Sequence, residues 1–507
     1  MKSITTKTLS NIRRGLHGTL CFLTVLLSIS FVADAQPARP RLVVGIVVDQ
    51  MRWDYLYTYH DMWSRNGAFN RLLDESFLCN NTMVDYVPTV TACGHATIYT
   101  GTTPAFHGIA GNSYYIDGKS VNSVWDPDVT PVGTEENVGR QSPRNLLATT
   151  IGDQLKVATE GKAIVAGVSL KDRASILPAG HGADAAFWYD TKGHRFITSN
   201  YYMDQLPQWL TRFNERNSAA LATNLWDEPS GITMTTSLAI ETLRNLSMGK
   251  DDVTDLLAVS YSTTDACSHN HGVKSDSVNA TYKQLDIELS RLLDVLDREV
   301  GRGEYLLFLT ADHGGTYNMQ SMRPLHLPWK MADTTTQRAA ANEVLQARYG
   351  IADLLVDDKQ YSVYLNNEAI ATAGLDRDEV AAEACRALQA DSLTMWAVDL
   401  EHLDRATIPV ALKERLALGY ARTRSGEIHL VHKPGVYTGS PGHPGSSHGT
   451  FTQDDTHIPL LFYGWHVNSG ETARLTHMTD IAPTVCAMLH IQAPNACIGV
   501  PVSEVVK

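Results

Sequence analysis

The chain has 507 residues, of which 43% are hydrophobic and 19% charged; this excludes disorder, collagen and coiled coil and leaves room for one large domain with insertions or two to three small ones. Lys and Arg number 42 against 55 Asp and Glu, a formal net charge of −13. No global positive field exists to hold nucleic acid or an anionic membrane, so an anionic substrate needs a local cationic site.

In chain order, residues 1–35 place Lys2, Lys7, Arg13 and Arg14 ahead of the apolar run Leu20–Leu27 and end in Ala33-Asp34-Ala35, the arrangement of a secretory signal peptide. The run falls short of the roughly 20 residues a membrane span requires, and Cys21 lies inside it, so no stable membrane anchor is expected. Cleavage after Ala35 is expected to leave residues 36–507 as a periplasmic or secreted mature chain. Six cysteines remain: Cys79, Cys93, Cys267, Cys385, Cys486 and Cys497. An oxidising compartment permits pairing, Cys486 with Cys497 being closest in sequence, and the absence of any C-x-x-C argues against a thiolate zinc knuckle.

Apolar, β-branched runs recur at Leu42–Val48, Ala163–Leu170, Leu256–Tyr261, Tyr305–Leu309 and Ile458–Tyr463. Such runs fit strands buried on both faces of a largely parallel sheet. Helical patterns fall at Ala92–Tyr99, Asn279–Val300, Thr336–Tyr349 and Arg377–Ala390. The alternation predicts an α/β fold, an α/β/α sandwich. Two stretches fit it poorly and are expected to be insertions: about 113–150, polar with Pro and Gly, and about 317–445, a cap or accessory insertion. Pro434–Gly449, just before the last strand, reads as a site loop rather than a linker.

Polar clusters stand where the strands end, the place where ligands bind in open α/β sheets. Asp49 closes the first run; Asp265 and His269 follow the third; Asp312 and His313 close the fourth; His448 precedes the last strand instead of following it. Asp and His are the ligands of a catalytic zinc pair that needs no thiolate. Singly each is weak, since an Asp after a strand is commonly a helix cap, and His60, His107, His181, His271, His402, His443 and His457 receive no role. Thr91 opens the helix after Val87-Pro88, either as its N-cap or, beside two metals, as a nucleophile.

Taken together, Asp49, the stretch Pro88-Thr89-x-Thr91-x-x-Gly94-His95, the run from Thr100-Gly101 to Asn112, Asp265-x-x-x-His269-x-x-Gly272, Ala311-Asp312-His313-Gly314 and Ser447-His448-Gly449 resemble the alkaline phosphatase superfamily, in its type I phosphodiesterase/nucleotide pyrophosphatase branch. The resemblance covers about residues 41–490. It implies an alkaline-phosphatase-like fold and two Zn2+ ions, one held by Asp265, His269 and His448, the other by Asp49, Asp312 and His313, with Thr91 as metal-bound nucleophile. Cys93 departs from the pattern, since relatives often carry Pro there.

Lys171-Asp172-Arg173 follows the second strand. In an extended segment residues two apart face one side, so Lys171 and Arg173 can converge on the non-bridging oxygens of a monoester; the alternative is a solvated charged turn. With Asn112, the pair is similar to the phosphate-irrepressible, threonine-nucleophile alkaline phosphatases of this branch. The expectation is hydrolysis of small-molecule phosphate monoesters through a phosphothreonine, with a phosphodiesterase or nucleotide pyrophosphatase on the same zincs as the rival. A sulfatase is disfavoured because no cysteine lies in Cys-x-Pro-x-Arg. From a different class, a silent zinc or phosphate binder shares the fold.

Overall fold

The apolar runs become the middle of a ten-stranded sheet. A computed structural model of the chain describes residues 38–116, 118–439 and 445–506; the segment 1–35 read as a signal peptide, His443, and part of the Pro434–Gly449 loop lie outside the described residues. The sheet's strands are β1 (Leu42–Val48), β2 (Phe77–Cys79), β3 (Pro131–Val132), β4 (Val165–Ser169), β5 (Ala185–Asp190), β6 (Arg195–Ser199), β7 (Asp255–Tyr261), β8 (Tyr305–Thr310), β9 (Leu460–Gly464) and β10 (Gly470–Thr472). They lie in the order β10-β2-β9-β8-β1-β7-β4-β5-β6-β3. From β8 to β5 neighbouring strands are parallel, and every residue of β1 and β7 is buried, which is why neither run shows polar alternation.

The expected last strand is divided. His457–Ile458 pairs with Thr82–Met83 in a separate small sheet, and the strand proper begins at Leu460, after Pro459, which has no N–H to give a ladder. β9 then runs antiparallel to β8, with Thr310 opposite Leu460. An antiparallel strand starts where its parallel neighbour ends. His448 therefore precedes its strand yet arrives at the edge where Asp49, Asp265 and Asp312 follow theirs.

Four helices position the site: α1 (Thr91–Thr100), α2 (Asp172–Ala179), α3 (Thr263–His271) and α4 (Asp276–Leu296). All ten residues of α1 are buried, and it ends at Gly101, whose φ of 67° is the left-handed conformation glycine adopts without strain. A helix enclosed on every side needs close backbone approach. At Gly94 an added Cβ would lie 2.3 Å from the Asp312 carbonyl oxygen and 2.6 Å from Asp312 Cβ, so this glycine sets the distance between the helix of Thr91 and the strand end of Asp312.

Residues 317–445 contain a second, four-stranded antiparallel sheet ordered Leu355–Lys359, Ser362–Leu365, Ile428–His432, Thr394–Asp399. Helices Thr334–Tyr349 and Arg377–Gln389 flank it, and it has its own apolar core around Leu345, Val363, Val380 and Leu430. Tyr361 links it to the site loop: its hydroxyl lies 2.9 Å from Thr438 Oγ1, which lies 3.2 Å from Ser447 Oγ. The polar stretch 113–150 forms the hairpin Ser113–Ile116/Lys119–Asn122 and also supplies β3, which pairs with β6 at the sheet edge. All six cysteines are unpaired, Cys486 and Cys497 included.

Replacing Gly94 with Ala is expected to lower the unfolding midpoint, because overpacking of about 1–3 kcal/mol outweighs the roughly 1 kcal/mol of helix propensity that Ala adds. A raised midpoint in thermal unfolding would contradict the close-approach role.

Candidate active site

The predicted Asp and His ligands come from a strand end or the helix behind it, except His448, which sits in the loop ahead of β9. Asp49 follows β1, Asp312 and His313 follow β8, and Asp265 with His269 occupy one face of α3 at i and i+4 after β7. Asp49, Asp312 and His313 are fully buried. Asp265 is 5% exposed and His269 37%, so the His269 side faces the mouth and the His313 side the floor.

The side chains gather into two groups. Ligand atoms of Asp265, His269 and His448 lie within 4.8 Å of one another, as do those of Asp49, Asp265 and His313. Asp312 Oδ2 is 3.4 Å from His313 Nε2, and Asp49 Oδ1 is 3.7 Å from the same nitrogen. Asp265 thus contributes to both groups, where the family resemblance gave it to one.

The imidazoles share one arrangement. Nδ1 of His313, His269 and His448 faces the carbonyl oxygen of Gly314 (2.8 Å), Ser446 (2.7 Å) and Thr89 (2.7 Å) respectively. A ring whose Nδ1–H is given to a carbonyl presents a lone pair at Nε2, the tautomer a metal ligand needs. Three buried atoms on the floor, Asp49 Oδ1, Asp312 Oδ2 and His313 Nε2, have no hydrogen-bond partner. Such convergence is costly unless a cation satisfies it. The residues present fit a metal ion at each group.

Charge supports the same conclusion. Burial and the nearby Asp312 push the Asp49 carboxyl well above the usual range, in spite of Lys171. Burial also pushes Asp265 upward, but His269 and Lys171 outweigh it and hold that carboxyl well below its ordinary value. Burial keeps His313 and His448 below the ordinary imidazole value. Three carboxyl groups around one ammonium leave the cluster with no net positive charge to offer a phosphate until cations are bound.

Lys171 enters this cluster. It is 6% exposed, and its Nζ donates to Asp49 Oδ2 at 2.7 Å, Asp265 Oδ2 at 2.6 Å and Thr91 Oγ1 at 3.2 Å. Arg173 is placed differently from expectation. Of residues 171–173 only Lys171 is extended: it is the N-cap of α2, at φ −79° and ψ 132°, and Asp172 and Arg173 begin the first helical turn. The Arg173 guanidinium bonds Asp172 Oδ1 at 3.4 Å and sits close enough to Lys171 to oppose its charge.

Thr91 is not the helix N-cap; Val90 occupies that position. Thr91 is the first helical residue, 1% exposed, and its hydroxyl accepts from Lys171. Asn112 reaches the same terminus, its Oδ1 accepting the Ala92 N–H at 3.0 Å. That bond orients the amide and leaves its NH2 end as a donor. Cys93 points elsewhere, its Sγ 3.1 Å from the Ile109 carbonyl, and burial raises its thiol pKa, so it is inert.

Two residues without a sequence-stated role support the ligands. Gln50, at φ 63°, donates its backbone N–H to Asp312 Oδ1 at 3.1 Å and its side-chain amide to Asp265 Oδ1 at 2.8 Å. His95 lies with Nδ1 2.9 Å from the Thr91 carbonyl and 3.3 Å from Asp312 Oδ2, and Nε2 2.8 Å from Ser260 Oγ. The sequence signal available for Gln50 was adjacency to Asp49, and for His95 its place one turn after Thr91. Other histidines are satisfied structurally: His107 lies 3.1 Å from Thr97 Oγ1 and burial pulls it down to about 3, and His457 stacks on Trp53.

The family model for type I phosphodiesterase/nucleotide pyrophosphatase matches residues 43–456. A protein of Myroides odoratus named calcium-transporting ATPase is 40% identical, covering 95% of this chain and 97% of that one. Alkaline phosphatase PafA of Elizabethkingia meningoseptica is 38% identical over 92% of this chain and 95% of its own length. A crystal structure of alkaline phosphatase PafA superposes with a TM-score of 0.88 at 38% identity, covering 92% of this chain and 99% of that one. The chain belongs to the type I phosphodiesterase/nucleotide pyrophosphatase family, within the alkaline phosphatase superfamily.

Proposed function

We propose that this protein is a secreted or periplasmic alkaline phosphatase that hydrolyses small-molecule phosphate monoesters through a phosphothreonine on Thr91. The carrying observation is the buried Lys171 ammonium 3.2 Å from Thr91 Oγ1. A cation held against the nucleophilic oxygen is where two charged non-bridging oxygens of a monoester must be met. Relatives named alkaline phosphatase support the reading. So does a solved PafA variant changed at a threonine, an asparagine, a lysine and an arginine, the same four residue types as Thr91, Asn112, Lys171 and Arg173.

Asp265, His269 and His448 would hold one Zn2+ and Asp49, Asp312 and His313 the other. Bound there, the ions supply Lewis acidity, easing deprotonation of a hydroxyl and offsetting charge on a phosphoryl group. Thr91 Oγ attacks phosphorus in line, the ester oxygen departs, and water later cleaves the threonine–phosphorus bond to release phosphate. Lys171, released from its carboxylates when the cations arrive, and the Asn112 NH2 face the phosphoryl oxygens. Arg173, two residues after Lys171 in the first turn of α2, swings from Asp172 to complete the clamp. Residues 317–445 act as a cap over the mouth, through the Tyr361–Thr438–Ser447 chain of hydroxyls.

The rival is a diesterase on the same ligands, which the family description also covers. A diester places a second organic group where the Lys171 and Arg173 cations sit. The Myroides relative is named a calcium-transporting ATPase; among the described residues no helix is long and apolar enough to cross a membrane.

Purified zinc-loaded protein is expected to prefer p-nitrophenyl phosphate over bis-p-nitrophenyl phosphate. That preference should fall by roughly a hundredfold to a thousandfold in the Lys171→Ala/Arg173→Ala variant, the scale of losing one preorganised oxyanion donor. A diester preference that survives the double change would assign the rival reaction. Thr91→Ala should lose several orders of magnitude of turnover while keeping its metal content, and near-normal activity would remove Thr91 from the nucleophile role. The three imidazoles ligate only when neutral and the nucleophiles work deprotonated, so kcat/KM is expected to rise from neutral to alkaline pH, with metal shed on acidification. An acid rate maximum would contradict this.

A further inference from the structure

The helix that carries Asp265 and His269 offers a second ligand pair on its other side. Residues two apart on an α-helix project about 200° apart. Cys267 and His271, each two positions beyond a catalytic-group residue, therefore share the face of α3 turned away from the phosphoryl site. Asp227, in the turn before helix Ser230–Asn245, meets them there. Its Oδ2 lies 3.1 Å from His271 Nε2, and one ligand atom from each of Asp227, Cys267 and His271 falls within 4.8 Å of the other two.

We propose that Asp227, Cys267 and His271 form a third metal site, separate from the phosphoryl-transfer pair, that takes a borderline divalent cation of the zinc type. A sulfur, a nitrogen and a carboxylate oxygen at this spacing match zinc and not the all-oxygen shells of Ca2+ or Mg2+. A plain His271–Asp227 ion pair beside a buried cysteine accounts for less: Asp227 Oδ1 is also buried without a full hydrogen bond, and the donor lying against Asp227 besides His271 is the weak S–H of Cys267. A cation is the partner that satisfies such an oxygen. Cys267 is fully buried, its sulfur 3.6 Å from the Thr281 hydroxyl on α4, so the thiol is fixed in place. His271 is 40% exposed, which leaves the fourth position to water and lets the ion exchange.

The turn of Asp227 is already tied to the start of α3 by the Thr263 hydroxyl, which donates to the Leu225 carbonyl at 2.9 Å. The ion adds a clasp at the other end, His271, and so fixes both ends of the helix that aims Asp265 and His269. This is a positioning role, acting through the helix.

The test uses the spectroscopic difference between the sites. None of the phosphoryl-site ligands is a sulfur, so in the full chain stripped of metal and reloaded with Co2+ a near-ultraviolet thiolate-to-cobalt charge-transfer band separates this site from the phosphoryl pair, and its loss in Cys267→Ser separates Cys267 from the other five free cysteines. The wild type should show the band and bind about three Co2+ per chain. Cys267→Ser should lose the band and one ion while keeping the visible cobalt spectrum of the remaining pair. Asp227→Asn, which keeps the thiol, should weaken growth of the band at least about tenfold in cobalt concentration and serves if the cysteine variant does not fold. No band in the wild type at saturating cobalt, or a band that persists in Cys267→Ser, overturns the site. Phosphatase turnover is read separately, so failure here leaves the proposed reaction untouched.

Discussion

Buried like charge governs this molecule. Asp49, Asp265 and Asp312 lie almost without solvent at one edge of the sheet, and the single ammonium among them, Lys171, bonds two of the three. Carboxylates packed this way repel one another and lose hydration, as the upward push on Asp49 records. The surrounding fold holds them regardless: Gln50 binds Asp265 and Asp312, His95 lies against Asp312, and Gly94 lets α1 press onto the Asp312 backbone. A protein spends stability on such an arrangement where function requires the strain, and here the requirement is a place for cations.

The topology then decides which residues can share that place. Parallel strands deliver Asp49, Lys171, Asp265 and Asp312 to one edge because their C-terminal ends align. The reversal of β9 brings His448 to the same edge from the opposite chain direction. The helices continue the logic: α1 presents Thr91 in its first turn, and α3 presents Asp265 and His269 one turn apart. Phosphoryl transfer needs positioning and charge more than covalent chemistry, and a rigid sheet edge supplies positioning.

Much of this was legible in the residues. The doubly buried runs revealed β1, β4, β7 and β8 because a strand covered on both faces has no reason to alternate, and the Asp and His residues closing them marked the edge. Less was legible where the cause is tertiary. The buried strand Ala185–Asp190 and its partner Arg195–Ser199 flank the polar turn Thr191-Lys192-Gly193-His194, which masks them as a loop. Lys171-Asp172-Arg173 read as extended because nothing before Asp172 announces a helix; the start is set by the packing of α2 on β4. The partners of Gln50 are more than 200 positions away, so no local pattern could disclose its role. The split at Pro459 and the reversal of β9 likewise follow from pairing with Thr82–Met83 and with β8.

The central claim is that the buried atoms Asp49 Oδ1, Asp312 Oδ2 and His313 Nε2, which lack a hydrogen bond of full geometry, and the group Asp265, His269 and His448 exist to hold metal ions. The most direct measurement is crystallographic: anomalous difference maps from zinc-soaked crystals, recorded on both sides of the zinc absorption edge. The account predicts one zinc peak within ligand distance of Asp49, Asp312 and His313 and another within ligand distance of Asp265, His269 and His448, with Lys171 Nζ displaced from its carboxylates. Absence of both peaks at full zinc loading, with Lys171 still seated between Asp49 and Asp265, would contradict it.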